Sequence, residues 1–523
     1  MSAFTFLLPV SIALGTALVA TPLLMRLAWW LGVTDKPDAH RKLHARPIPL
    51  GGGVSVFLAL VFAVVVCQFS NMAALILPSE QFFSIIVLLG ASTLIVGIGL
   101  IDDRFGMRGR HKLLGQIAVC TILVNGGFVV RSIGLFGFQI DLGILAAPLT
   151  GGWLLLAMNA LNLIDGSDGL ATMVGGLLSA TLCCMAVIGN HGTEAVILAA
   201  LTGALLGFLP YNFPPARVYL GDAGSMLIGM LVGALAIRAS LKGPTAVGLA
   251  APLAIWTIPL LDTFAAIIRR KLTGRSIYTT DRGHLHHCLQ QATGSTRRTL
   301  YVVTLACAAT CMGGLASLSL KNDLFAVISA AMVMTILVIT RSFGHGEVSL
   351  LTAKLRSFLR TLSPAARNGN ASPHQHAVRL QGTRPWEEVW ESLLQVAAEF
   401  HLTRMSFDVN IPACQEGYHV TWQRSAGPDG ENLWHANIPL FVDDRPVGRL
   451  VFAGPYDGFS VSGTLTKLME ILPAVEDHFR ELSLPARPQA LSENNSGYEK
   501  PPTPTQLFGN GNLHRATAAA EVI

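Results

Sequence analysis

Charge is scarce in this sequence: Asp, Glu, Lys and Arg make up 13% of its 523 residues, against 51% hydrophobic ones, and mean hydropathy is +0.51. An ordinary soluble domain carries roughly 25% charged residues, so that class is excluded. The formal net charge of +5 is too small for a general nucleic-acid surface. Disulfides are also missing as an organising principle. Of eight cysteines, Cys67, Cys120, Cys183, Cys184, Cys307 and Cys311 lie inside apolar runs, where a thiol acts as a small hydrophobe. The N-terminal apolar stretch lacks a charged leader and a small-residue cleavage site, so residues near 3 to 25 are expected to remain as the first helix.

What the chain has instead is long apolar runs. Eleven stretches of roughly 17 to 25 residues begin near Phe4, Gly53, Phe83, Leu113, Ile144, Leu170, Glu194, Gly224, Thr245, Leu300 and Asp323. Backbone groups in lipid must be satisfied within the span, so these predict an all-α polytopic membrane bundle over residues 1–342. Alternate loops then share a face, and one face receives 26–52, 102–112, 164–169, 212–223 and 269–298 with most of the bundle's Lys and Arg, while Arg131, Lys242 and Lys321 fall opposite. The positive-inside bias assigns that face to the cytoplasm, which predicts an inner-membrane protein with its acidic loops and C-terminus inside. Residues 343–383 read as a linker, 384–482 as a small cytoplasmic α+β domain, and 483–523 as a disordered tail.

Five loops on that face carry chemistry-bearing residues. In "GLIDDRFGMRGRHKLLGQ", Asp102 and Asp103 end an apolar span and Lys112 follows. Each Asp would cost about 2.5 to 3.5 kcal/mol at a helix centre, so the pair belongs at the membrane edge, either to bind a divalent cation or simply to stop a helix. In "NALNLIDGSDGLA", Asn159, Asn162, Asp165 and Asp168 recur every three residues and gather on one side, suited to ribose, base or metal. The plain alternative is a polar cap joining two spans. "YNFPPARVYLGDAGS" sets Asn212 ahead of Asp222, a hard-cation ligand or an ordinary turn residue, and small residues open the next helix, where backbone N–H groups can meet phosphate.

"LDTFAAIIRRKLTGRSIYTTDRGHLHHCLQ" carries Asp262, a basic cluster, then His284, His286 and His287. With Cys288 these histidines could make a transition-metal site, yet the neighbouring loops offer the carboxylates that suit Mg²⁺, which favours imidazole contacts to phosphate or a structural role. The first loop, "DKPDAHRKLHARPIPLGGG", adds Lys42 among other basic groups that either mark topology or hold an anionic phosphate, and glycines that allow close helix packing.

Taken in this order, "RKLHARPIPLGGG", "IDD" with "KLLGQ", "NALNLIDGSDGLA", "YLGDAGS" and "DRGHLHH" resemble the polyprenyl-phosphate N-acetylhexosamine-1-phosphate transferase family over residues 1 to about 340. The histidine motif is more similar to the N-acetylglucosamine-1-phosphate branch than to the muramoyl-pentapeptide branch. The resemblance implies a UDP-amino sugar donor, preferably UDP-N-acetylglucosamine, undecaprenyl phosphate as acceptor, and Mg²⁺, with Mn²⁺ as an alternative. It implies Asp222 as the metal ligand, with Asp102 and Asp103 beside the phosphates and able to share the metal. Asp165, Asp168, Asn159, Asn162 and Asn212 would line the nucleotide-sugar pocket, while Lys42, His284, His286 and His287 would touch phosphate or sugar. Arg104 and Phe105 follow the aspartate pair, so Lys112 is the nearest candidate cation. The resemblance is silent on the C-terminal domain, whose partner or ligand stays open, as does oligomerisation. A transporter is the rival class, since span-edge carboxylates also mark ion pathways, but a transporter would place polar groups near the midplane and show related halves.

Overall fold

A computed structural model of the chain describes residues 6–35, 47–69, 82–239, 246–275, 283–361, 374–411, 414, 416–424, 433–442, 445–456 and 461–483. Lys42 and the tail beyond Ser483 lie outside the described residues. The apolar part opens with α1 (Leu7–Leu31), the two-residue ladder β1 (Thr34–Asp35) and β2 (Ile48–Pro49), α2 (Gly52–Gln68), α3 (Phe82–Phe105) and α4 (Gly109–Asn125). A hairpin, β3 (Ser132–Leu135) and β4 (Phe138–Asp141), then leads to α5 (Ala146–Ile164), α6 (Leu170–Ile188), α7 (Gly192–Asn212) and α8 (Gly221–Ala239). Next come β5 (Ala246–Gly248), α9 (Ala250–Ile255), α10 (Thr257–Leu272), α11 (Leu285–Thr293), α12 (Thr296–Ser319) and α13 (Leu324–Ile339).

Among the described residues, seven helical segments are long and apolar enough to cross a bilayer: α1, α3, α5 with its preceding turn, α6, α7, α8 and α12. Together they make the chain a multi-pass membrane protein. The helices α2 and α13 are apolar but shorter, and α4 has only 17 residues, with Arg110, His111 and Lys112 in its first turn. Seven segments among the described residues thus meet the length of roughly 20 residues a bilayer asks for, and the expected count of about eleven is not confirmed. The stretch expected as a ninth span is not one helix. It breaks at Trp256 into α9 and α10, and Pro259 falls in the first turn of α10, where its missing N–H leaves no bond unmade.

Nor is the apolar part wholly α-helical. The hairpin β3–β4 pairs antiparallel, and β5 joins β3 in parallel from more than a hundred positions away, giving a three-stranded sheet in the order β4-β3-β5. At the centre of the bundle stands α8, with nearly every side chain from Ala223 to Ala239 buried against α3, α5, α2 and α6. Its approach to α2 and α3 is backbone-close. A Cβ added to Gly53 would collide with the backbone of Gly224, and one added to Gly99 with that of Ala223. The apolar faces of these helices are continuous with one core cluster that includes Leu60, Ile95, Leu161, Met226 and Trp256.

Beyond it, α14 (His345–Thr361) and β6 (His374–Gln381) occupy much of the interval expected as a linker. They lead into α15 (Trp386–Glu399), β7 (Arg404–Ile411), β8 (Glu416–Gln423), β9 (Leu433–Val442), β10 (Arg445–Pro455) and α16 (Val461–Ser483). The five strands form an antiparallel sheet in the order β6-β8-β7-β10-β9. In α15 the buried positions Trp386, Val389, Trp390, Leu393 and Ala397 follow the helical period, and they pack with Phe407 and Phe479 into a core separate from that of the bundle. Along β7, Met405, Phe407 and Val409 face those helices. Side chains alternate along a strand, so Asp408 faces the other way.

Candidate active site

The site grows from the ends of α3, α5 and α8, which meet α4 at one end of the bundle. Thr34 and Asp35 pair with Ile48 and Pro49, and the chain then runs beside residues 219 and 220: Tyr219 N donates to Pro49 O at 3.0 Å, Gly52 N to Tyr219 O at 3.1 Å, and Gly53 N to Leu220 O at 2.9 Å. These bonds fix the entry to α8. There Gly221 takes φ +73°, a left-handed conformation that L side chains resist, and an added Cβ would lie 2.6 Å from Asp103 Oδ2.

The aspartate pair expected to act together is divided. Asp103 accepts from the backbone N–H groups of Asp222, at 2.9 Å, and Ala223, at 3.3 Å, so it caps the N-terminus of α8 with a negative charge where the helix dipole favours one. Both of its oxygens accept from the α8 backbone, so Asp103 fixes that helix end while Asp102 turns to other partners. Asp102 faces inward. One oxygen accepts from Met107 N at 2.6 Å and the other lies 3.0 Å from Lys112 Nζ.

Lys112 is the hub. Its ammonium donates to Asp222 Oδ2 at 2.6 Å and to Asn162 Oδ1 at 3.2 Å while it pairs with Asp102. Asn162 in turn donates to Asp222 Oδ1 at 2.5 Å and to Ser225 Oγ at 3.0 Å. Thus the expected residues Asp102, Lys112, Asn162 and Asp222 do converge, from four helices.

The loop after α5 brings more negative charge. Burial, then the nearby Asp222, Asp103 and Asp168, push Asp165 well above the usual carboxylate range. Burial, followed by Asp168, Asp35 and Asp165, also raises the phenol of Tyr219. Asp168 accepts from Ala216 N at 2.9 Å, tying its loop to the one between α7 and α8.

Two expected pocket residues do something else. Asn212 is 2% exposed, accepts from Thr172 Oγ1 at 2.7 Å and donates to Val218 O at 2.9 Å, so it holds the α7–α8 connection instead of facing a substrate. Asn159 exchanges bonds with Gln116, donating at 3.0 Å, and donates to Leu155 O at 2.8 Å. Gln116 also approaches Met226 Sδ at 3.3 Å and braces α4, α5 and α8 together. That residue had no assigned role, although it ends the quoted "KLLGQ".

The histidines approach the same loop from α11. Asp262, fully buried, lies 3.1 Å from His284 Nδ1 through Oδ2 and accepts from Leu285 N at 2.8 Å through Oδ1. His286 is buried between the rings of His284 and His287, and an added Cβ on Gly166 would lie 2.5 Å from its Nε2. Its run therefore sits against the Asp165–Asp168 loop. Burial, then His287, lowers the His286 imidazole to about 3, so it is neutral at physiological pH. Sequence reasoning gives Asp262 no role, and its proximity to His284 shows only in the packed structure.

A divalent cation can be tested against these donors. Asp102 and Asp222 share one ammonium, Asp103 bonds the backbone of Asp222, and burial followed by the nearby carboxylates pushes Asp165 upward. All are hard oxygen donors of the kind Mg²⁺ takes. Among the described residues no group of three His, Cys, Asp or Glu already converges as ligands, and Lys112 pairs with both Asp102 and Asp222. The donor set fits Mg²⁺ with Lys112 as a competing cation, and it does not fit a zinc site.

Residues 85–240 match the model of glycosyl transferase family 4. The chain is 33% identical over 296 residues to the probable undecaprenyl-phosphate N-acetylglucosaminyl 1-phosphate transferase of Bacillus subtilis (strain 168), covering 56% of this chain and 80% of that relative. It is 35% identical to the decaprenyl-phosphate N-acetylglucosaminephosphotransferase of Mycobacterium tuberculosis (strain ATCC 25618 / H37Rv), with 60% and 83% covered. With the undecaprenyl-phosphate alpha-N-acetylglucosaminyl 1-phosphate transferase of Escherichia coli (strain K12) the identity is 28%, over 67% of this chain and 92% of that one.

Proposed function

The chain belongs to glycosyl transferase family 4, in its polyprenyl-phosphate N-acetylglucosamine-1-phosphate transferase branch, and from that premise we propose that it transfers N-acetylglucosamine 1-phosphate from UDP-N-acetylglucosamine to undecaprenyl phosphate. UMP is released, and the diphosphate-linked sugar stays in the membrane to start a cell-surface glycan. The observation that carries this reading is the convergence of Asp102, Lys112, Asn162 and Asp222 at the end of the apolar bundle.

A phosphate oxygen of the lipid attacks the β-phosphorus of the donor; the bond from that phosphorus to the bridging oxygen breaks, and UMP leaves with the oxygen. The reacting groups are both anions, so the chain's task is to reduce repulsion and hold geometry. Lys112 is placed to meet a phosphoryl oxygen once it exchanges one carboxylate partner for the ligand. Asn162 keeps Asp222 oriented, and Asp103 fixes the helix end that carries it. Asp102 can hold a proton at Oδ2, although a phosphomonoester largely ionised near neutral pH needs little help from a base. Mg²⁺, held by Asp222 with Asp102 and Asp165, would supply neutralisation of phosphate charge. The neutral imidazole of His286 supports the Asp165–Asp168 loop, while His284 and His287 flank it toward the donor side.

The positive-inside bias of the basic residues at 102–112 and 269–275 supports a cytoplasmic position for this end of the bundle, in an inner membrane. A transporter finds no support in the relatives, and the carboxylates crowd one end instead of the midplane. The alternative donor within the family is a UDP-muramoyl-pentapeptide. Incubating the purified protein with undecaprenyl phosphate, Mg²⁺ and either radiolabelled donor separates the two. Label in the lipid fraction from UDP-N-acetylglucosamine alone is expected; label only from the muramoyl donor would overturn the choice of sugar.

A further inference from the structure

The C-terminal sheet has one face covered by α15 and α16, and its other face meets the membrane bundle through a bonded contact. Arg275, at the turn that ends α10, forks onto Asp408 of β7: Nε donates to Oδ2 at 2.8 Å and Nη2 to Oδ1 at 2.9 Å. Nη2 also donates to Val409 O at 2.7 Å. The two side chains are 7% and 4% exposed. From β8, His419 Nδ1 lies 3.2 Å from the same Asp408 Oδ1. From β10, Arg449 donates to the backbone oxygen of Thr273, where a cation suits the C-terminal end of a helix.

A second route runs beside the first. Gly346 of α14 abuts Leu380 of β6, and the next residue, Glu347, pairs with the buried Arg269 of α10. A Cβ added to Gly283 would collide with the Arg269 guanidinium, so the backbone that starts the histidine run rests on that side chain. His284 follows and bonds Asp262, and His286 lies against Gly166 in the acidic loop. Contacts thus lead without a gap from the sheet to the carboxylate cluster.

A buried ion pair is poor evidence for stability, because desolvating both charges offsets most of their attraction; its better-attested use is to fix one register. A bidentate guanidinium–carboxylate pair adds a defined angle to that register. Resting on the transferase reading above, we infer that the C-terminal domain positions the active-site histidine run, through Asp408 on Arg275 and through α14 on Arg269. Arg275 and Asp408 are positioning residues and do not touch substrate.

The test uses the full-length protein in nanodiscs as wild type, Arg275→Gln, Asp408→Asn and the double variant. Two quantities are read: kcat for lipid-linked product, and amide hydrogen exchange over residues 283–288. Each single variant is expected to raise exchange over 283–288 at least tenfold and to lower kcat about tenfold, with the double variant no worse than either single one. Arg275→Gln leaves Asp408 its His419 partner, and exchange at Phe407 and Val420 reports the sheet itself, so the Arg275 variant is read against an intact domain. Unchanged exchange over 283–288 in Arg275→Gln, or single effects on kcat that multiply in the double variant, would overturn the inference. The exchange arm stands even if wild type proves inactive, so a wrong reaction and a wrong positioning role give different results.

Discussion

Lys112 Nζ lies 2.6 Å from Asp222 Oδ2 although the two residues are 110 positions apart, and the same nitrogen lies 3.0 Å from Asp102 Oδ2. One ammonium therefore holds two carboxylates that would otherwise repel, at the place where the donor phosphates are proposed to sit.

Replacing Lys112 by Met removes that cation and keeps most of its aliphatic length. Loss of one preorganised electrostatic contact typically lowers turnover by about 10² to 10³, and that fall in kcat is expected here, read as UMP release at saturating substrates. Arg is not expected to restore it, since a planar fork cannot meet Asp102, Asn162 and Asp222 from one point. A variant with kcat within twofold of wild type would remove Lys112 from the mechanism.

The pH dependence of stability has a defined sign at His286. Its imidazole is lowered from an ordinary 6.5 to about 3 in the fold, first by burial. The unfolded chain therefore binds the proton more readily, so stability is fully present above about pH 6.5 and is lost as pH falls from there toward 3. Thermal unfolding in detergent should show Tm falling between pH 7.5 and 5, with a shallower fall in His286→Phe. Parallel curves would mean that His286 is not held neutral.

The approach of α2 to α8 gives a steric test. Adding one methyl in Gly53→Ala would drive it into the Gly224 backbone, and overpacking of this kind costs about 1 to 3 kcal/mol. Because Gly224 follows Asp222 by two positions, the shift should reach the site. Membrane insertion is expected to persist while both Tm and kcat drop; a wild-type kcat would show that the two helices can separate without moving Asp222.

Much of the site is legible in the sequence because lipid makes carboxylates expensive. Asp102, Asp165 and Asp222 at span ends stand out against runs of Leu, Val and Ile. Their division of labour is not legible. Asp102 and Asp103 are adjacent and chemically identical, and only the position of the α8 N-terminus makes one a cap and leaves the other facing Lys112. Asn212 reads as a pocket residue until Thr172 and Val218 are seen to engage it. The hairpin at Ser132–Asp141 is hidden by its own apolar residues, Ile133, Leu135, Phe136 and Phe138, which blend into the neighbouring spans. In the C-terminal domain the helical period of α15 is plain, whereas the partner of Asp408 lies on another element of the chain, at Arg275.

The most direct measurement places wild type and Asp222→Asn side by side, purified, with undecaprenyl phosphate, radiolabelled UDP-N-acetylglucosamine and Mg²⁺, and follows labelled lipid and UMP together. Wild type is expected to form both in equal amounts, and Asp222→Asn to fall by about 10³-fold because it loses the charge that pairs with Lys112. No labelled lipid from wild type with any UDP-amino sugar, or undiminished product from Asp222→Asn, would contradict the proposed reaction and its site.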